Sequence, residues 1–551
     1  MWEDLAIPGP EQTARYYEQQ WWRERTFTDD LCAAAASRPG HPAIIAYQDG
    51  KHAATLTYAE LAAAVSRFAS ALAELGVGAG DVVVLYLPNV WQISALYLAC
   101  NRLGAIASPV IPTLGARELG QVLAFSKAAV CITVDSFADT DYAARLAEVA
   151  PPGLRHQVII GGPGRPPAIS FGTFFEATDW ENRHPLAGLP SPGPDQPSLL
   201  LYTSGTTGQM KAVAHSQNTL YAGLRGMHEP FGLSAGDVIS IPHYFAHLAA
   251  VLCGAYMPLM LGATCVMQDS NTDMELLLDL IEQHRVSYLY AAPGYVVGLL
   301  EAHQRQRRDT GSLRFFVSGS APIRPELITA VQDAFGVGLQ ALWGMTENGT
   351  VTITRPDDPP GWAARSDGRP LPWAQVRLAP IADAGEQDGS ALLVRSASQC
   401  LGYLGQPGLY ANCVDSGGWF DTGDLARDDG RGGIKIVGRQ ADLINRASGH
   451  MISTLEVESV LQTHPGVEEV VLVGYPDPDV PGAELAAAIV IAAGSPPTLT
   501  DLREHLADAQ MAEVLWPDRL VNMRALPRNS LGKIQRSLLR ERLEIAASPR
   551  R

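Results

Sequence analysis

The sequence predicts an α/β protein: a large N-terminal domain of parallel-rich sheets with flanking helices and a small β subdomain, then a small mobile α+β C-terminal domain. Three observations carry this. Short apolar runs alternate with helical apolar spacing through most of the chain. The register changes near Gly438, and the chain beyond it reads as a compact strand–helix unit of about 110 residues. A chain of 551 residues with 46% hydrophobic content also supplies core for more than one domain.

Taken in order, residues 1–40 are polar and aromatic, with Trp21 and Trp22 able to anchor the segment. ATLTYAELAAAVSRFASALAELG, from Ala54, has helical spacing and ends at Gly76. DVVVLYL from Asp81 reads as a strand, and WQISALYLACNRLG from Trp91 as a helix closed by Gly104. AAVCITVD from Ala128 and HQVIIGG from His156 are further strands, and the Pro- and Gly-rich residues 162–198 read as loop. Residues 248–267 are uncharged over about a bilayer's thickness. Gly254, Pro258 and Gly262 interrupt them, so they read as a buried helix to about Met260, a turn at Gly262 and a strand ATCVM. VSYLYAAP from Val286, RFFVSGSAP from Arg314 and GLQALWGMTENG from Gly338 resume the alternation. Short strands to about Gly438 form the β subdomain. The expected division is 1–438, a hinge at 439–445, and 446–551. In the last part TLEVESVLQTH and DLREHLADA are helical and VEEVVLVGY and ELAAAIVIA are strands, with Glu456 and Glu458 at the helix start and surface.

A net charge of −17 argues against nucleic acid or an anionic membrane as partner, so any anionic ligand must be held by local donors. Seven scattered Cys without a CxxC fit a reducing cytosol and no structural zinc. The N-terminus lacks the basic and apolar regions of a secretory signal, so a cytoplasmic location is expected, without a membrane span.

The chemistry is concentrated in LYTSGTTGQMKAVAHS, residues 201–216. The buried run Leu199-Leu200-Leu201 delivers Thr203, Ser204, Gly205, Thr206, Thr207 and Gly208 ahead of a single Lys211. Glycines let successive backbone N–H groups turn toward one anion, and small hydroxyls add donors, which is how a chain holds a polyphosphate. The spacing is not that of the common P-loop. A polar turn after a strand is the plainer reading of the stretch alone. Three more segments carry similar double readings. In WGMTENG, Trp343 is a flat face, Thr346 a donor and Glu347 a hard oxygen ligand, or Trp343 is core. In GWFDTGDLARDDG, Asp424 sits in a tight turn, where it either accepts two ribose hydroxyls or only stabilises the turn. Lys533, in NSLGKIQRS, reads as solvated tail or as a cation for a developing negative charge.

Together these motifs, in this order, resemble the adenylate-forming superfamily: acyl- and aryl-CoA synthetases, peptide-synthetase adenylation domains and firefly-type luciferases. The resemblance runs from about Asp29 to Arg540 and is nearest to bacterial medium-chain, alicyclic or aryl acyl-CoA ligases. It implies that Ser204, Gly205, Thr206, Thr207, Gly208 and Lys211 hold the phosphates of ATP. Trp343, Gly344, Met345 and Thr346, with Ser320 and Ala321 of SGSAPI, line the adenine and acyl pocket. Thr203 and Glu347 hold Mg²⁺, Asp424 and Arg439 reach the ribose or phosphates, and His247 of PHYFAH is the gating aromatic; a helix-capping or packed His is its plainer reading. Gly449 of SGHMISTLEVES lies against the pantetheine arm of coenzyme A, and Lys533 swings in for adenylation. The reaction implied makes a CoA thioester from a hydrophobic carboxylic acid through an acyl-adenylate, with ATP going to AMP and pyrophosphate, in a monomer or homodimer. PHYFAH has no Asp for a substrate ammonium, which disfavours an amino acid.

Four departures stand out. Met210 and Ala212 replace the usual Pro and Gly of the phosphate loop, Ala441 replaces the usual hinge Asp or Lys, and one extra residue falls within 445–448. They open two alternatives: an enzyme running mainly the thioesterification half-reaction on a preformed acyl-adenylate, and, of another class, a carrier-protein-loading adenylation domain.

Overall fold

The computed structural model describes residues 2–162, 167–186, 192–204, 210–269, 272–381, 389–448, 451–480, 483–528 and 534–547. Contacts divide the chain into two compact units, Met1–Gln375 with Arg395–Asn412, and Val376–Val394 with Cys413–Arg551.

The first unit is built on two large sheets. One has eight strands in the order Gly402–Tyr403, Met210–Ser216, Pro197–Ser204, Ile106–Val110, Val82–Tyr86, Val130–Val134, His156–Ile160, Ile169–Ser170. Its members from Pro197–Ser204 onward run parallel, and Met210–Ser216 turns back antiparallel. The other has nine strands. Leu339–Met345, Phe315–Gly319, Tyr288–Tyr290, Val238–Ser240, Thr264–Gln268 and Pro42–Gln48 lie parallel in that order, with antiparallel edges on both sides. Parallel strands need both faces covered, and Val82–Tyr86 and Val130–Val134 are accordingly buried at every position.

The helix expected from Ala54 starts instead at Tyr58. Thr57 accepts from the Glu60 N–H while Glu60 takes the Thr57 N–H, a capping box that fixes the first turn. Lys51–Thr57 becomes an edge strand on Pro42–Gln48. Residues 162–198 are not all loop, since Trp180–Arg183 is helical and Gly172–Glu176 forms a π-helical turn. The uncharged 248–267 stretch is helical from Leu248–Ala250 through a π-helical Val251–Tyr256 to Met257–Leu261. Gly262 closes it at φ 69°, and Thr264–Gln268 is a buried strand. No helix among the described residues is long and apolar enough to cross a membrane. Trp22 anchors the N-terminal segment, with its indole N–H on the Ala397 carbonyl at 2.8 Å.

Most of a sheet in the order Ala374–Ala379, Ser390–Ser396, Phe420–Asp428, Ile434–Arg439 belongs to the second unit, with its last three strands antiparallel. The short strands read from the sequence as part of the large domain thus group by contact with the C-terminal residues. A three-stranded sheet comes next, Val467–Pro476, Glu484–Ala492 and Arg519–Asn522. Its period-2 pattern covers both faces. Val470, Leu472, Ala486 and Ala488 pack with Val457 and Leu502, while Val471, Val473, Ala487 and Ile489 pack with Leu539 and Leu543.

Candidate active site

The described residues of LYTSGTTGQMKAVAHS belong to two paired strands. Pro197–Ser204 and Met210–Ser216 pair antiparallel, with Thr203 opposite Lys211 and Ser204 opposite Met210. Directly paired residues share a face, so Thr203 and Lys211 project together. Gly205, Thr206, Thr207 and Gly208 lie outside the described residues. Both departures fall inside the ladder. Met210 opposes Ser204, and Ala212 is fully buried, its carbonyl accepting the Leu404 N–H at 2.8 Å.

Beside the hairpin stands WGMTENG, at the end of Leu339–Met345. Trp343, Gly344, Met345 and Thr346 are half-buried, whereas Glu347 to Thr350 are buried. The loop thus presents an open shelf backed by a closed core. It is held tightly. A Cβ on Gly344 would stand 2.2 Å from the Gly349 carbonyl oxygen, so this crossing admits glycine alone. Cys400 N–H donates to the Glu347 carbonyl at 2.6 Å, and Ser398 Oγ to the Asn348 carbonyl at 2.6 Å.

His215, on the second hairpin strand, ties the hairpin to this loop, with Nε2 2.7 Å from the Thr346 carbonyl. A carbonyl only accepts, so Nε2 carries the proton, and Nδ1, 3.0 Å from Thr219 Oγ1, accepts. Burial pushes the His215 pKa from 6.5 down to about 4, and burial does the same at His228, also to about 4. Both folded values lie below the unfolded one, so their contribution is complete above about pH 6.5 and is lost as pH falls toward about 4. Each is expected to withdraw about 1.4 kcal/mol per pH unit within that window. Urea midpoints measured at about pH 7 and about pH 5 check this.

One residue that the sequence reading missed joins the parts. Tyr403 is buried, and its hydroxyl donates to Glu347 Oε1 at 2.9 Å. Lys211 Nζ lies 3.5 Å from the Tyr403 hydroxyl oxygen and 5.0 Å from the ring centroid. The ammonium, phenol and carboxylate thus form one line from hairpin to loop. A Tyr after Gly402 at a strand start reads as core, and nothing in its spacing announces a partner 56 positions earlier. Tyr403→Phe takes this donor from the buried Glu347 carboxylate and is expected to destabilise the fold by about 1–3 kcal/mol, read as a lower urea midpoint.

SGSAPI runs off the end of Phe315–Gly319 and PHYFAH follows Val238–Ser240, with Tyr288–Tyr290 between the two strands, so with WGMTENG they lie at the carboxyl ends of the parallel strands, where open α/β sheets bind ligands. Ser320 holds φ 70° and Ser320 and Ala321 are exposed. Ser320 Oγ lies 3.0 Å from the Tyr290 hydroxyl. Asn89 clamps PHYFAH, donating to the His243 carbonyl at 2.9 Å and accepting from Phe245 N–H at 2.8 Å. His247 is half-buried beside it.

In the second unit, Asp424 and Arg439 pair across the Phe420–Asp428 and Ile434–Arg439 hairpin, Nε to Oδ1 at 2.9 Å, and Asp424 is buried. Gly449 and Lys533 lie outside the described residues. Glu458 is not a surface residue as its helix position implied. It is buried, and its carboxylate meets Arg536 at 2.6 and 2.8 Å, while Leu472 N–H donates to it at 2.7 Å. Arg536 also lies 3.4 Å from Asp442, next to the exposed Ala441.

A family model described as AMP-binding enzyme matches residues 31–404, and one described as AMP-binding enzyme C-terminal domain matches residues 456–533. The chain is 30% identical to 2-hydroxy-7-methoxy-5-methyl-1-naphthoate–CoA ligase of Streptomyces carzinostaticus, over 97% of this chain and 96% of that protein. It is 32% identical to salicyl-AMP ligase / salicyl-S-ArCP synthetase of Mycobacterium tuberculosis, over 98% and 95%. The solved structure of ATP-bound MatB from Rhodopseudomonas palustris is similar with a TM-score of 0.81 and 25% identity, covering 96% of this chain and 100% of that one.

Proposed function

We propose that this chain, which belongs to the AMP-binding enzyme family and is an AMP-forming ligase, converts a carboxylic acid with a hydrophobic body into its CoA thioester through an acyl-adenylate. The observation that carries this is the line from Lys211 through Tyr403 to Glu347, which joins the Ser/Thr/Gly hairpin to the half-open Trp343–Thr346 shelf. The relatives named for naphthoate and salicyl substrates support an aryl acid among the candidates.

In the first half-reaction a carboxylate oxygen attacks the α-phosphorus of ATP and pyrophosphate leaves. The hairpin N–H groups and hydroxyls, with Lys211, hold the phosphates, and Trp343 offers a face to the adenine. Lys533 supplies a cation where negative charge grows. Glu347 and Thr203 offer the hard oxygens that Mg²⁺ takes, and the buried Glu347 carboxylate is already oriented by Tyr403. Mg²⁺ when bound neutralises charge on the phosphates. In the second half-reaction a thiol attacks the acyl carbon and AMP leaves. Most of the acceleration is positioning and charge stabilisation, since the mixed anhydride is itself reactive. Residues 439–445 are the hinge for the movement between the two half-reactions, and Gly449 gives the pantetheine arm room.

Incubation with a panel of acids, ATP, Mg²⁺ and CoA, beside a phosphopantetheinyl carrier protein as competing acceptor, tests the reading. Free acyl-CoA with matching AMP supports it. Acyl-carrier protein as the sole thioester contradicts the CoA assignment.

The exposed Ala441 favours one further reading, in which adenylation is impaired. The full ligase reading predicts that Ala441→Asp, alone or with one residue of 445–448 deleted, leaves ATP–pyrophosphate exchange within about twofold. A rise of about tenfold or more would mean that the hinge has separated the half-reactions.

A further inference from the structure

At the amino-terminal ends of the parallel strands, away from the candidate active site, the first unit holds a cavity of about 280 Å³. It lies where Phe315–Gly319 and Leu339–Met345 begin, and the return strand Gly349–Ile353 brings Arg355 and the residues after it against it. Leu339 is in its wall, and about 20 Å of strand separate Leu339 from the shelf at Met345. The cavity is reachable from solvent, since Arg314, Gln332, Pro356 and Pro360 in its lining are exposed. Arg355 and Gln340 are half-buried within it.

Arg355 is the unusual member of this lining. Its guanidinium makes one hydrogen bond, from Nη2 to the Pro370 carbonyl at 3.2 Å, and its other nitrogens stay open to solvent. Among the described residues no carboxylate comes within 4.0 Å of it. The carboxylates nearby are engaged elsewhere. Asp358 accepts the Arg355 backbone N–H at 2.8 Å and meets Arg369 at 3.0 Å, while Asp357 meets the same Arg369 at 3.2 Å. Arg314, the other guanidinium of the lining, is paired with Asp237 at 2.9 Å. Burial, with Arg369 adding to it, holds the Arg355 pKa below the usual arginine range, although the group stays charged. Gln340 stands next to it in the fold, because Thr354 Oγ1 donates to Gln340 Oε1 at 2.9 Å. That bond takes the amide oxygen and leaves the amide N–H groups open. Arg355 also lines a second cavity of about 230 Å³, with Leu371, Pro372 and Trp373, so open space flanks it twice.

We propose that this cavity is a second ligand site, and that it takes a small monocarboxylate bearing another oxygen acceptor, a hydroxy or oxo acid, with its carboxylate on Arg355. A carboxylate fits because its two oxygens match the planar fork of guanidinium N–H donors. A further oxygen fits because the open group of Gln340 is a donor. One negative charge fits better than two, because a single uncompensated guanidinium stands there with Asp357 and Asp358 close enough to repel a dianion. The volume limits the ligand to a small one. None of the lining takes part in the proposed ligase reaction, and a polar acid differs from the hydrophobic one activated there, so the site stands or falls apart from that reading.

The test titrates the full chain with glycerate and pyruvate, and with hexanoate and glycerol 3-phosphate as contrasts, following binding by saturation-transfer NMR. Glycerate or pyruvate is expected to bind, and more tightly than either contrast. Arg355→Gln is expected to weaken that binding by about 10- to 100-fold, and Trp343→Ala on the active-site shelf to leave it within about twofold. Arg355→Lys keeps the charge without the fork and is expected to fall between, which carries the test if the first variant does not fold. The inference is overturned if neither acid binds, if hexanoate or the phosphate ester binds as tightly, if both Arg355 variants bind like the parent, or if Trp343→Ala removes the binding.

Discussion

Lys533→Ala is expected to lower acid-dependent pyrophosphate release by about 10²- to 10³-fold, while thioester formation from a supplied acyl-adenylate and CoA stays within about threefold. In the proposed reading the effect is large because negative charge grows as the carboxylate meets the α-phosphate, and a cation placed there stabilises it. With a net charge of −17 the field of the whole chain gives no help, so in that reading local cations, Lys533 with Lys211, carry the task. The second half-reaction releases AMP from an activated acyl group and has less need of Lys533. Stopped-flow release of pyrophosphate and a thiol-consumption assay on synthetic adenylate read the two separately. An equal loss in both arms would mean that Lys533 serves the fold or a step common to both.

The second large effect is expected at Arg536, three positions after Lys533. Its guanidinium is the partner of the buried Glu458 carboxylate, with side-chain exposures of 25% and 11%. Arg536→Ala leaves that carboxylate buried and unpaired, which costs about 3–5 kcal/mol. The unit built on Val467–Pro476 and Glu484–Ala492 is expected to unfold earlier, as a lower urea midpoint in the full chain. Adding Glu458→Gln to Arg536→Ala is expected to recover part of the loss, because a neutral amide is cheaper to bury than a lone charge. If the double variant is no more stable than the single one, the loss comes from packing of the arginine stem rather than from the charge.

Much of the fold was legible in the sequence because its signals are local. The alternation of VVVLY, VCITV and HQVII with amphipathic helices announces buried parallel strands, and Gly104 and Gly262 mark helix ends in the left-handed conformation. The start of the helix at Tyr58 was displaced because Thr57 and Glu60 form their capping box inside a run whose apolar spacing begins earlier. What the sequence hid is long-range. Glu458 sits on a helix where a charge normally faces water, and its burial is made tolerable by Arg536, 78 positions on, and by the Leu472 N–H. Tyr403 and Glu347 meet through strand pairing between Gly402–Tyr403 and Met210–Ser216, which no local pattern encodes. The grouping of Val376–Val394 with Cys413–Arg551 depends on the sheet that Ser390–Ser396 and Phe420–Asp428 complete.

The candidate site divides in the same way. The Ser/Thr/Gly density before Lys211 is readable as an anion cradle, whereas the antiparallel pairing that sets Thr203 opposite Lys211 is not written in that pattern. The shelf character of Trp343–Thr346 and the buried side of Glu347 are products of tertiary packing, through Gly344 against Gly349 and the donors at Ser398 and Cys400.

The central claim is that the acid is activated by joining its own oxygen to AMP. It is tested most directly with a carboxylic acid labelled with ¹⁸O in its carboxylate, turned over with ATP, Mg²⁺ and CoA, and the released AMP weighed by mass spectrometry. The account predicts AMP carrying one ¹⁸O atom, because the bridging oxygen of the acyl-adenylate leaves with the phosphate when the thiol attacks carbon. Unlabelled AMP, or label found in inorganic phosphate beside ADP, would contradict it.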